Sequence, residues 1–99
     1  MIKEGVYAAG LSVLNEDTSL NTEATIFHAE KIIKKGLHGV FFFGSTGQSQ
    51  LISISEKKDL ISKLAENKFK KQFFIGTGCN SLKDTVDLIK YSMEYNFNN

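Results

Sequence analysis

At 99 residues, with 41% hydrophobic and 23% charged, the chain has the length and balance of one small folded domain rather than a disordered segment. The formal net charge is +1 and all 12 basic residues are lysine, so neither a basic field nor the forked guanidinium contacts that favour nucleic acid are available. A single cysteine, Cys79, forms no internal disulfide and sets no metal-ligand spacing, which points to a reducing compartment, the cytoplasm by default.

The N-terminus is short and charged at Lys3 and Glu4, and no apolar run approaches the ~18 residues that span a bilayer, so neither a leader nor a membrane partner is expected. The first apolar run, Val6 to Leu14, predicts a strand. A helix follows, capped by Asn21 or Thr22, with Glu23 in its first turn and Ile26, Ala29 and Ile33 on one face. Lys34 and Lys35 end it before a glycine cap at Gly36. Val40 to Phe43 predicts the second strand. Ser53-Ile54-Ser55-Glu56 is then a capping box, in which serine and glutamate satisfy each other's orphan amides. It opens a helix that buries Leu60, Ile61 and Leu64. Phe73 to Ile75 predicts the third strand, and a third helix starts at Asn80 or Ser81. Its apolar residues Leu82, Val86, Ile89 and Met93 stand at i, i+4, i+7 and i+11, the face expected to lie on the sheet.

Apolar strands without clean alternation, separated by amphipathic helices, predict parallel pairing with right-handed crossovers, an α/β class. Strands begin about every 32 to 35 residues, and eight such units fill the roughly 250 residues of a (β/α)8 barrel. Three units make the first third or so of one. Residues 1–99 are therefore expected to be the N-terminal part of a single barrel domain, truncated, since a free three-strand sheet leaves two edges unpaired.

In parallel α/β folds, ligands bind at the carboxyl ends of the strands, which directs attention to three loops. The second loop, Gly44-Ser45-Thr46-Gly47-Gln48-Ser49, brackets two hydroxyl residues with glycines directly after Phe41-Phe42-Phe43. Its amides and hydroxyls can cradle a carboxylate or phosphate, or simply bond to nearby backbone in a glycine-rich turn. No lysine lies within it, which excludes a nucleoside triphosphate loop. The third loop, Gly76-Thr77-Gly78-Cys79-Asn80-Ser81, approaches a dinucleotide fingerprint but has Ser81 where the third glycine belongs. Cys79 as a nucleophile needs a base. His28 lies within the first helix and His38 at the opposite end of the second strand, so both read as surface or packing residues. Glu16 and Asp17 could form an acid pair, but two adjacent acids in a polar turn before a helix are more often simply solvated.

Read in order, Gly5-Val6-Tyr7-Ala8-Ala9, Asn21 to Gly36, His38-Gly39-Val40, Gly44 to Ser49, Ser55-Glu56 and Ile75 to Ser81 resemble the dihydrodipicolinate synthase and N-acetylneuraminate lyase family throughout the chain. The specific element is the Gly-[Ser/Thr]-Thr-Gly-Glu type signature after the second strand. The resemblance implies class I aldolase chemistry on pyruvate or another 2-keto acid plus an aldehyde, through a lysine Schiff base and with no separate cofactor or metal. It implies a homo-oligomer, a homotetramer, at full length. It makes Ser45 and Thr46 the hydroxyl pair on the keto acid carboxylate, flanked by Gly44 and Gly47, with Ser45 also in a proton relay. The family's lysine and tyrosine lie on later strands, beyond Asn99, so these 99 residues alone are expected to be inactive. Gln48 replaces the family's usual Glu, and Ser12-Val13-Leu14 its Thr-Pro-aromatic turn; Gly-Ser-Thr in place of Gly-Thr-Thr leans toward the sialate lyase and sugar-acid aldolase branches. The alternatives are a non-catalytic keto-acid-binding or assembly module and a dinucleotide-binding fragment.

Overall fold

A computed structural model describes residues 4–44, 51–79 and 81–97. Three strands, β1 (Tyr7–Ala9), β2 (Gly39–Phe42) and β3 (Phe73–Ile75), alternate with three helices, α1 (Thr22–Lys34), α2 (Ile54–Leu64) and α3 (Leu82–Glu94). The sheet order is β1-β2-β3 and both pairs are parallel, with Ala8 beside Val40 and Phe41 beside Phe74.

Side chains alternate across the strands. Val40, Phe42, Phe73 and Ile75 enter a core shared with Ala29 and Ile33 of α1, Leu60, Ile61 and Leu64 of α2, and Leu88 of α3. On the opposite face Tyr7, Phe41 and Phe74 form an aromatic cluster, with Phe41 stacked on Phe74 at 4.8 Å and Tyr7 edge-on to both. Apolar residues thus line both faces, which is why the strands read as continuous hydrophobic runs.

Asn21 caps α1 by accepting a bond from the Ala24 amide at 2.9 Å, and Gly36 closes it at φ 103°, a left-handed conformation natural to glycine. The capping box of α2 forms with both reciprocal bonds, between Ser53 and Glu56. Ser81 caps α3 through the Asp84 amide. Among the described residues, no helix is long and apolar enough to cross a membrane.

Two expectations are corrected. The first apolar run is not one strand to Leu14. After β1 the Gly10 amide makes one further bond to Phe41 O, at 2.7 Å, and the chain then leaves the sheet. Leu14 instead pairs antiparallel with Leu20 in a small hairpin turned at Thr18 and closed by the Asn21 amide on Val13 O. Apolar character marked Leu14 as buried, but its partner is in its own loop.

The second correction concerns α3. Its inward face carries Leu88 and Ser92, with Tyr91 and Tyr95 packed against the core, whereas Leu82 is 80% exposed and Met93 57%, with Val86 and Ile89 exposed between them. At 3.6 residues per turn the apolar stripe lies roughly 120° around the helix from the buried face. α3 packs against α2, and periodicity found an apolar face but not which face meets α2.

Two outcomes follow from this packing. Expressed as these 99 residues, the chain should self-associate through the α3 stripe, and Val86→Lys with Met93→Lys should shift it toward monomer in sedimentation velocity. The Ser92 hydroxyl is buried without a hydrogen-bond partner among the described residues, so Ser92→Ala should match or exceed wild-type stability, by up to roughly 1 kcal/mol in denaturant melts.

Candidate functional site

The carboxyl ends of the three strands lie side by side because β2 holds both neighbours through its last carbonyls. Phe41 O accepts from Gly10 and Phe42 O accepts from the Gly76 amide at 2.9 Å. A side chain on residue 76 would stand 3.0 Å from both the Phe42 and Phe43 carbonyl oxygens. Gly76 therefore serves strand packing, which accounts for the glycine that resembled a dinucleotide fingerprint.

Directly after β2, Phe43 adopts φ 61° while its ring stays 3% exposed. A left-handed backbone is uncommon for a bulky residue, and strain of this kind, of order 1 to 3 kcal/mol, collects at functional turns. It turns the chain sharply into Gly44, which is exposed and has open space where a side chain would project. Of the four expected site residues Gly44 is thus at the open end of the sheet, while Ser45, Thr46 and Gly47 lie outside the described residues.

The rim around this end is fastened by polar bonds. Thr25, buried in α1, accepts from the Val13 amide at 3.0 Å and donates to Asn21 O at 2.7 Å, tying the hairpin to the helix. Glu56 reaches further. Besides the Ser53 amide and hydroxyl of its own cap, its carboxylate accepts from the Leu20 amide, so the start of α2 holds the β1–α1 loop. Those bonds, the Leu20 amide foremost and then the Ser53 hydroxyl, hold its carboxyl below the usual glutamate range. The capping box made Glu56 legible in the sequence, but its bond across 36 residues carries no local signal.

Lys57 was not anticipated. It projects from the first turn of α2, is 2% exposed, places Nζ 3.8 Å from Cys79 Sγ, and stands 5.7 Å from the Phe43 ring. Its spacing was a usable signal, because Lys57 precedes Leu60, Ile61 and Leu64 by three, four and seven residues and so shares their buried stripe. Cys79 itself is anchored by its amide, which donates to Thr85 Oγ1 at 3.0 Å.

Of the remaining candidates, the two histidines stay apart from this end, while Glu16 and Asp17 lie in the hairpin at its rim. His38 Nδ1 accepts from the Val6 amide at 2.9 Å, where the chain enters β2. His28 is on α1. Glu16 is exposed, and Asp17 accepts from the Ser19 hydroxyl and amide within the hairpin turn, which lowers its carboxyl. Among the described residues no group of three His, Cys, Asp or Glu side chains is placed to hold a metal ion.

Sequential parallel βα units form a partial α/β fold compatible with a (β/α)8 barrel, although the strand order alone is shared with doubly wound sheets. The comparisons decide. Residues 3–98 match the dihydrodipicolinate synthetase family, and the chain belongs to it. An uncharacterised DapA-like lyase of Pyrococcus furiosus is 33% identical over 91 residues, covering 92% of this chain and 30% of that protein. The N-acetylneuraminate lyase of Actinobacillus pleuropneumoniae serotype 5b is 32% identical over 98 residues, covering 94% of this chain and 32% of that enzyme. Among solved structures, YagE, a prophage protein of the dihydrodipicolinic acid synthase family from E. coli K12 in complex with pyruvate, superposes with a TM-score of 0.83. The likeness covers 96% of this chain and 32% of that one at 22% identity, a level that speaks for the fold. The chain spans about a third of the length of the relatives it matches.

The Glu56 tie has a measurable sign. A carboxyl lowered in the folded state contributes stability that is complete above the ordinary glutamate range and is lost as pH falls through the lowered folded value. Glu56→Gln should flatten that acid slope and cost about 1 kcal/mol near neutrality, the difference between charge-assisted and neutral bonds. Urea melts across an acid-to-neutral series measure both; an unchanged acid slope would show that the Leu20 bond is energetically silent.

Proposed function

We propose that the protein carrying this chain is an aldolase-type carbon-carbon lyase or synthase acting on pyruvate or a related 2-keto acid plus an aldehyde. Its substrate would be held as a Schiff base on a lysine beyond Asn99. These residues would form the N-terminal third of a single barrel domain, inactive alone, in a cytoplasmic homo-oligomer, a homotetramer. The observation that carries the reading is the family match over residues 3–98, and pyruvate in the YagE complex supports the substrate class.

Ser45 and Thr46 would hold the keto acid carboxylate, with the flanking Gly44 and Gly47 letting backbone amides come close. The strained turn at Phe43 and the open space at Gly44 favour a close approach of ligand to backbone at this strand end. Ser45 would also relay a proton during carbon-carbon bond making or breaking. The Schiff base acts as its own electron sink, so the chemistry requires no further cofactor.

The test uses the protein at its natural length. Borohydride reduction across a pyruvate titration should trap one adduct on a lysine beyond Asn99. Thr46→Val keeps volume and β-branching but removes a hydroxyl whose bond to a carboxylate is worth about 1.5 to 3 kcal/mol. Half-saturation for trapping should therefore rise roughly ten- to a hundredfold. Ser45→Ala should lower turnover more than pyruvate binding. Absence of any adduct in wild type, with pyruvate still bound, would favour a keto-acid-binding module; unchanged half-saturation in Thr46→Val would remove the cradle assignment alone.

A further inference from the structure

Lys57 and Cys79 come from elements 22 residues apart, yet the lysine Nζ donates to the cysteine Sγ at 3.8 Å. The two sides of the contact differ. The lysine is 2% exposed and its end stands 5.7 Å from the Phe43 ring, while Cys79 is half-buried. The β3–α3 loop is held in place on the sulfur side by the Cys79 amide on Thr85 Oγ1 and by Sγ, which donates to Thr77 O at 3.6 Å. Cys79 is the single cysteine of the chain, so a sulfenic acid formed there finds no second thiol within it. What it meets instead is an amine.

We propose that Lys57 and Cys79 are a reversible redox cross-link. A hydroperoxide oxidises the Cys79 thiol to a sulfenic acid, its O–O bond breaks, and it is reduced to water or the corresponding alcohol. Once its ammonium has released one proton to water, the Lys57 amine attacks the sulfur, a nitrogen-sulfur bond forms, the sulfur-oxygen bond breaks, and the hydroxyl leaves with a second proton from the nitrogen as water. The product is a sulfenamide, and attack by an external thiol returns the amine and a mixed disulfide, which a second thiol reduces. The flexible four-carbon stem of lysine closes the remaining gap by side-chain rotation. The bond fastens the first turn of α2 to the β3–α3 loop, beside the turn at Phe43 and Gly44. The inference stands on this contact and does not depend on the proposed substrate.

The experiment treats the natural-length protein with hydrogen peroxide, denatures it without reductant, and maps tryptic peptides by mass spectrometry. The expected result is a peptide pair joined between Lys57 and Cys79, lighter by two hydrogens than the separate peptides, uncut at Lys57, and released by dithiothreitol. Lys57→Arg keeps a cation but presents no such amine, and Cys79→Ser removes the sulfur; each should abolish the joined pair. Cys79 recovered as sulfinic or sulfonic acid with Lys57 still cleaved, or left unoxidised, would overturn the proposal. So would a sulfenamide that persists in Lys57→Arg, which would assign the nitrogen to a backbone amide. Should the arginine variant fail to fold, the wild-type map decides, because it locates both ends of the bond.

Discussion

Parallel pairing of β2 on both edges is the constraint on which the other features rest. Val40 is fully enclosed, and the carbonyls of Phe41 and Phe42 are taken by amides of glycines that end the neighbouring strands, Gly10 and Gly76. Each neighbour leaves the sheet at a point set by β2, so the carboxyl ends of the three strands lie at one level. The strands are only three or four residues long; one face packs against the helices, and the other carries the Tyr7, Phe41 and Phe74 cluster.

Alignment of strand ends would be of little use with loose loops, and the polar bonds above the sheet remove that freedom. Thr25 and Asn21 fix the hairpin to α1, and Glu56 fixes the same hairpin to α2. Two separate helices thereby hold one loop. The exposed ion pairs, Lys58 with Asp87 and Lys63 with Asp59, add little by comparison, since solvent screens them. The Glu56 bonds differ because the acceptor is ionised and the donors include backbone amides that must otherwise find water.

How much of this was legible depends on whether the signal was local. Asn21, Gly36, the Ser53–Glu56 box and Ser81 act within one helical turn, and their helices begin and end where the residues indicate. Strand pairing and class followed from the alternation of segments, and the family from motifs in order. What stayed hidden was choice among partners. Leu14 was apolar for its hairpin mate Leu20, and the stripe of α3 was apolar without facing α2. The same limit applies at the site. Gly44 is exposed where β2 ends, and the Lys57 contact with Cys79 joins the first turn of α2 to the β3–α3 loop, a pairing that only the fold makes.

Phe43 joins two demands that one residue type does not satisfy together. Its backbone, at φ 61°, suits glycine, and its ring, 3% exposed and tilted against Phe42, suits a large hydrophobe. Glycine there would relax the turn and leave a hole under it; leucine or methionine would fill the hole and keep the torsion. This is local frustration in the landscape sense, a position whose best conformation and best packing disagree. Changes at 43 are therefore expected to be epistatic with Phe42 and Lys57, since only a repacked neighbour can compensate the lost ring. The step from sheet to loop thus stays sharp because relaxing it would cost packing in the core beneath.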